Sequence, residues 1–224
     1  MVHITQMLTA MAVMCMTGIS QGQITHQYMQ SAFSTTDTTC AHDWVDLGLS
    51  VRWATCNIGA AHPEDFGDYF AWGETTPKPS YTTSNCKNRG THIGDIKGNP
   101  LYDAARANWG AAWRLPTKEE CEELRDLCDW EWTSEGGHNG CRVTSKINGN
   151  SIFLPASGWR FGTLTFSMGQ SSYYWGSTPD PSNDDLSCYL CSDSSKFNVG
   201  WYFRQYAYPI RPVCEPGESD EQSH

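Results

Sequence analysis

Between Lys118 and Cys128 the apolar positions recur at helical spacing: Cys121, Leu124 and Cys128 share one face, with Leu127 alongside. Glu119, Glu122, Glu123, Arg125 and Asp126 fall mainly on the other face, so this acidic run reads as a solvated surface rather than as paired catalytic carboxylates. Just upstream, Trp113-Arg114-Leu115-Pro116 reads as an incoming strand halted by proline. The Thr117 hydroxyl can accept from the backbone N–H three residues on, and Glu120 can reach back to the N–H of Thr117. That pair is a capping box, and it predicts one well-capped helix over about 117–128.

Elsewhere the pattern is that of short strands and turns. Residues 51–56 are β-branched and aromatic enough for a strand, whereas 73–99 are crowded with Pro, Gly, Thr, Asn and Lys and predict a long loop. A short helix is expected over 102–108. Residues 141–145 and 151–155 read as paired strands joined through Asn148-Gly149-Asn150, where Asn-Gly supplies the positive φ angles of a tight hairpin. From Tyr173 onward, short strands at 173–177, 186–191, 200–204 and 209–213 alternate with polar turns, as in a meander. Trp53, Trp109, Trp113, Leu115, Leu124 and Phe153 are expected to be buried around the capped helix. Residues 23–40 are polar and aperiodic and read as a flexible spacer, and 215–224 read as a disordered acidic tail.

Several of these segments, taken in order, resemble one family. WVDLGL at 44–49, VRWATCNIGA at 51–60, DFGDYFAWGE at 65–74, ANWG at 107–110 and WRLPTKEE at 113–120 are similar to landmarks of the Fibrobacter succinogenes major paralogous domain. SIFLPA at 151–156, GWR at 158–160, YYWGST at 173–178 and IRPV at 210–213 continue that order. The resemblance covers roughly residues 44–213. It implies an α+β, C-type-lectin-like fold of small twisted antiparallel sheets and long loops, related to the formylglycine-generating-enzyme group. It also implies a surface or exported protein of Bacteroidota, with no activity or ligand attached. The domain is placed at 41–214. Because the ends of lectin-like folds meet on neighbouring strands, the resemblance further suggests a bridge between Cys40 and Cys214.

The 224 residues suffice for one sizeable core. A formal charge of −10, with scattered Lys and Arg, argues against nucleic acid as the main partner and equally against an anionic membrane surface. Residues 7–19 form a short apolar run followed by Ser20-Gln21-Gly22, which reads as a signal peptide over 1–22 cleaved before Gln23. The run is shorter than the roughly 20 residues a membrane-spanning helix needs, so no integral span is expected in the mature chain. Ten cysteines, together with this leader, point to an oxidising compartment and at least one disulfide. Losing Cys15 with the leader leaves nine, an odd number. Cys121 and Cys128 stand about 10 Å apart along one helix and cannot pair with each other.

The composition most suggestive of function lies in 167–208, where Tyr173, Tyr174, Trp175, Tyr189, Trp201, Tyr202, Phe203, Tyr206 and Tyr208 stand among Ser, Asn, Asp and Gly. Binding surfaces use this mixture because Tyr and Trp supply large contact area at low entropic cost while small polar residues adapt their hydrogen bonds. Alternate rings on strands also serve a core, so about half should be buried, Trp175 and Trp201 first. The contact residues are placed at Asp184, Asp185, Tyr189, Tyr202, Tyr206 and Tyr208.

Asp180, Asp184, Asp185 and Asn183 could offer oxygen ligands to calcium, but without EF-hand spacing they read as an acidic surface turn. Cys188-Tyr189-Leu190-Cys191 is a single C-x-x-C with no second pair for zinc, and on a strand its cysteines face opposite ways. His138 with Cys141 lacks an orienting third group. No catalytic residue, metal or cofactor is therefore assigned. The expected role is non-catalytic recognition of a protein or glycan by an exported protein, at the cell surface, secreted or periplasmic. The alternatives are a structural part of a surface or fimbrial assembly and, third, an oxidase of the formylglycine-generating type.

Overall fold

A computed structural model describes residues 42–110 and 112–216, which belong to one compact unit. The leader, the spacer and the tail beyond Pro216 lie outside the described residues, as does Cys40 of the suggested bridge. Among the described residues, fourteen short strands form four small antiparallel sheets, accompanied by two α-helices and one 3₁₀ turn. This is an α+β arrangement dominated by β structure. No helix among the described residues is long and apolar enough to cross a membrane.

The strands β1 (Trp44–Val45) and β2 (Arg52–Ala54) form a hairpin, and the last strand, β14 (Val213–Cys214), inserts between β2 and β4 (Trp113–Arg114). Val213 thus faces Trp53 on one side and Arg114 on the other, tying together segments far apart in sequence. The helix α1 (Ala104–Trp109) is capped by Asp103, which also accepts from the N–H groups of Gly98 and Leu115. The predicted capping box opens α2 (Lys118–Leu127): Glu120 N–H donates to the Thr117 hydroxyl and Thr117 N–H donates to Glu120. Cys121, Leu124 and Cys128 are buried, while Leu127 stays exposed.

Glu120 does not join the solvated face. Its carboxylate receives two 2.7 Å hydrogen bonds from the Arg114 fork, and Glu215 receives a third at 2.6 Å. Glu215, expected in the free tail, is therefore anchored. Nor does α2 run on into a loop: Cys128 is already extended (φ −122°, ψ 155°), and the chain passes straight into β5 (Cys128–Glu135). β5 pairs with β6 (His138–Ser145), which pairs with β7 (Ser151–Pro155). The β6–β7 turn contains the expected glycine, with Gly149 at φ 77°, but it is not a tight two-residue turn; Ser145 N–H reaches Asn150 and Gly149 N–H reaches back to Ser145.

A third sheet is the meander β10 (Ser171–Pro179), β11 (Leu186–Asp193) and β12 (Phe197–Phe203). Residues 209–213 do not add its fourth strand. Pro209 and Pro212 lack the N–H a ladder needs, and the chain instead divides into β13 (Ala207–Tyr208) and β14. β13 lies in a fourth sheet between β3 (Phe70–Ala71) and β8 (Trp159–Phe161), and β8 pairs with β9 (Leu164–Phe166).

Two main apolar clusters result. Trp53, Cys121, Leu124, Val143, Leu154, Leu190 and Val213 form one, and Phe70, Trp72, Trp113, Leu115, Trp175 and Tyr208 the other. Of the expected core residues, Trp53 and Leu124 fall in the first and Trp113 and Leu115 in the second; Trp109 is half-buried beside the second, and Phe153 is buried but belongs to neither. The long loop 73–99 is real and is pinned by polar contacts. Arg204, wholly buried, donates to the Asn88 and Thr91 carbonyls and lies 4.2 Å from the Trp72 ring centre.

Candidate functional site

Alternation along β10–β12 gives the meander two different faces. Tyr174, Cys188, Leu190 and Val199 point into the first apolar cluster. On the opposite face Tyr173 stands across from Cys191, Trp175 across from Tyr189, and Tyr189 across from Gly200. A Cβ at Gly200 would lie 3.2 Å from the Tyr189 ring, so the missing side chain leaves that ring its place.

This second face is roofed by rings from elsewhere in the chain. Tyr208 arrives on β13, stacked on Trp175 at 4.3 Å, with Tyr173, Tyr189 and Tyr202 at 5.3, 6.2 and 6.3 Å from it. Ala207 pairs with Arg160, and this register sets Trp159 of β8 edge-on to Tyr206 at 4.9 Å. A cleft of about 160 Å³ opens among these groups, walled by Trp159, Tyr173, Tyr189 and Tyr202 with Tyr208 at its floor. Its polar rim comprises Ser171, Asp193 and Lys196, the last two from the β11–β12 turn. Asp193 holds that turn by accepting from the N–H groups of Ser195 and Lys196 and from the Ser195 hydroxyl.

Burial raises the pKa of Tyr173, Tyr189, Tyr202 and Tyr208 above the ordinary tyrosine value. At neutral pH the walls therefore carry protonated hydroxyls and no charge. Burial also pushes up the Cys191 thiol, against a lesser lowering by its hydrogen bond with Tyr189, so it sits in the cleft as a thiol rather than as a reactive thiolate. Tyr208 Oη is buried and has no hydrogen-bond partner. A polar atom left in this condition costs free energy, of the order of 1–3 kcal/mol.

The four tyrosines placed at the site by sequence, Tyr189, Tyr202, Tyr206 and Tyr208, fall in one continuous ring cluster. Their exposure differs: Tyr202 is 36% exposed, Tyr189 and Tyr206 are half-buried, and Tyr208 is fully covered. Asp184 and Asp185 do not line the cleft. They lie beyond the other end of β11, where Asp184 contacts His92 at 3.0 Å and Asp185 contacts Arg89 at 3.1 Å. Asp180 caps its own turn, accepting from Ser182 and Asn183. Each carboxylate of this loop thus has a protein partner, although Asp185 engages Arg89 through Oδ2 and its buried Oδ1 is unpaired; among the described residues no three His, Cys, Asp or Glu side chains are grouped to hold a metal ion. Sequence reasoning gave no role to Trp159, Asp193 or Lys196. Only the GWR segment and the turn-forming run 193–196 marked their positions.

The other candidate chemistries separate in space. Cys188 is buried beneath the sheet and Cys191 faces the cleft above it, so the C-x-x-C does not converge. Cys188 instead meets the Cys121 thiol of α2 in the core, and their hydrogen bond, followed by burial, drives the Cys121 pKa far up. Burial pushes the Cys128 thiol up to about 11. His138 packs edge-on to Phe66, whereas Cys141 enters the core beside Ser192. Compared with known protein families, with curated proteins and with solved structures, the chain matches none.

Proposed function

We propose that this protein is an exported binding module that recognises a protein or glycan ligand at the bacterial surface through the aromatic cleft on its terminal meander. The observation that carries the reading is the cleft itself, where Trp159, Tyr173, Tyr189 and Tyr202 gather beside the polar groups of Ser171, Asp193 and Lys196. Most of these residues stand on paired strands, which suits a preformed site. The C-type-lectin-like reading of the fold is favoured by the late strand β14 lying beside β2, so that the two ends of the domain meet.

A screen of the full chain against a glycan array and against host and bacterial surface extracts tests the role, with Tyr202→Ala as the control for the site. Binding that Tyr202→Ala leaves intact would move the site elsewhere. Export predicts a chain beginning near Gln23 and carrying a disulfide. Cys121 and Cys188, whose thiols already touch, are the pair to oxidise, with an external disulfide as electron acceptor. Peptide mapping of envelope-recovered protein, with and without reductant, checks both.

The second reading, a part in a surface assembly, draws on β12. Its outer edge pairs with no strand among the described residues, and Phe197 and Phe203 on it are about 40% exposed. Association of the purified chain with itself as concentration rises would favour it.

A further inference from the structure

We infer that the ligand of this cleft is a neutral saccharide chain, one sugar ring entering the cleft and the adjoining rings lying along the aromatic ribbon that leads out of it. The inference rests on the binding reading above and narrows it to one chemical class.

The ribbon is a series of ring contacts. Phe166 stacks on Trp159 at 4.5 Å, Trp159 meets Tyr206 at 4.9 Å, and Tyr206 meets Tyr202 at 5.3 Å at the cleft mouth. Phe166, Tyr202 and the neighbouring Phe203 are exposed. A sugar ring has an apolar face of C–H groups, suited to the face of an aromatic ring, and an equatorial girdle of hydroxyls. The site supplies both halves of that match: ring faces, and the hydroxyls of Tyr173, Tyr189 and Tyr202 with Ser171 at the rim. Tyr and Trp combine an apolar body with a polar handle, as such a ligand requires.

Size and charge remove the other occupants. At about 160 Å³ the cleft is smaller than the roughly 300 Å³ at the low end of small-molecule sites, so it admits a single ring-sized unit. Asp193 and Lys196 place one charge of each sign at the rim, which favours a neutral ligand over an anion or a cation. Lys196 at the rim disfavours a quaternary ammonium ion, which an aromatic cage would otherwise suit. An extended peptide added to the sheet would take the edge of β12, not this face.

The test is affinity electrophoresis of the full chain in gels holding a soluble β-glucan, an arabinoxylan or an α-mannan, with polygalacturonate as the anionic counter-probe. At least one neutral polysaccharide should retard the parent, with EDTA making no difference. Tyr202→Ala and Trp159→Ala should weaken that retardation about fivefold or more. Tyr208→Phe removes a hydroxyl that the protein covers, so it should leave the retardation unchanged and serves as the control for folding. Tyr202 lies at the surface, so Tyr202→Ala keeps the test decisive even where Trp159→Ala disturbs the fold.

If no neutral polysaccharide retards the parent, or only polygalacturonate does, the saccharide inference is overturned. A protein captured in its place, with loss on Tyr202→Ala, overturns the saccharide inference while the cleft remains the binding site. Retardation that both alanine variants share with the parent overturns the cleft itself.

Discussion

The two faces of the β10–β11–β12 meander are built from the same strands and the same kinds of residue, yet they do opposite things. The inner face, with Tyr174, Leu190 and Val199, is sealed against α2 and the β5–β7 sheet, and Tyr174 Oη donates to the Pro155 carbonyl at 3.1 Å. The outer face, with Tyr173, Tyr189 and Tyr202, is covered only in part, and the tyrosine beneath it has no partner for its hydroxyl. Both faces bury a hydroxyl without a partner, Ser192 on the inner and Tyr208 on the outer, so what distinguishes them is that the outer rings are left partly open to solvent.

Truncation on the inner face should have the largest effect. Leu190→Ala removes side-chain volume from a closed cluster and should cost roughly 2–5 kcal/mol in denaturant unfolding; a loss below 1 kcal/mol would mean that this face is not sealed. Tyr202→Ala, on the open face, should cost less than about 1 kcal/mol in the same measurement, because an exposed ring gives up little burial.

Adding a methyl group sharpens the contrast. At Gly176 a Cβ would meet the Pro116 carbonyl at 3.2 Å and Cys188 Sγ at 3.1 Å, and the backbone oxygen cannot yield. Gly176→Ala should therefore cost about 1–3 kcal/mol. At Gly200 the added carbon meets the edge of the Tyr189 ring at 3.2 Å and Asn198 Nδ2 at 3.5 Å, side-chain atoms that can shift where a backbone oxygen cannot. Gly200→Ala should leave the melting temperature nearly unchanged and alter ligand binding instead.

Tyr208→Phe should change stability least among the ring variants and in the unusual direction. Removing a buried hydroxyl that nothing pairs should leave the protein as stable or more stable by up to about 1 kcal/mol. A clear drop in melting temperature would show that the hydroxyl is satisfied in solution. The smallest effect concerns the turn at the rim. Hydrogen bonds from Ser195 depress the Asp193 pKa in the folded chain. Its contribution is therefore present above the ordinary carboxylate value of about 3.9 and is lost as pH falls through the depressed one. Asp193→Asn should flatten the acid limb of a melting-temperature profile slightly, since solvent screens the group.

What the sequence revealed about the site follows the same division between local and distant causes. Tyr189 and Tyr202 share a face because the strand period is two, and that period can be counted along the chain. Asp184 and Asp185 looked equivalent to them by composition alone, yet they lie past the end of the strand and engage Arg89 and His92. Trp159 could not be found by such counting. It reaches the cleft only because β8 pairs with β13, and a register between strands nearly fifty residues apart leaves no periodic mark.

The sequence by itself determined what neighbouring residues settle among themselves: the capping box at Thr117 and Glu120, the buried stripe of α2, the glycine in the β6–β7 turn and the strands of the meander. Each depends on hydrogen bonds or burial patterns spanning a few residues. Tertiary structure decided the rest. It converted the end of α2 directly into β5, sent residues 207–208 and 213–214 into different sheets, drew Glu215 onto Arg114 and left Tyr208 without a partner. These outcomes depend on which distant groups compete for the same donor, acceptor or apolar face, and that competition is settled only when the sheets pack together.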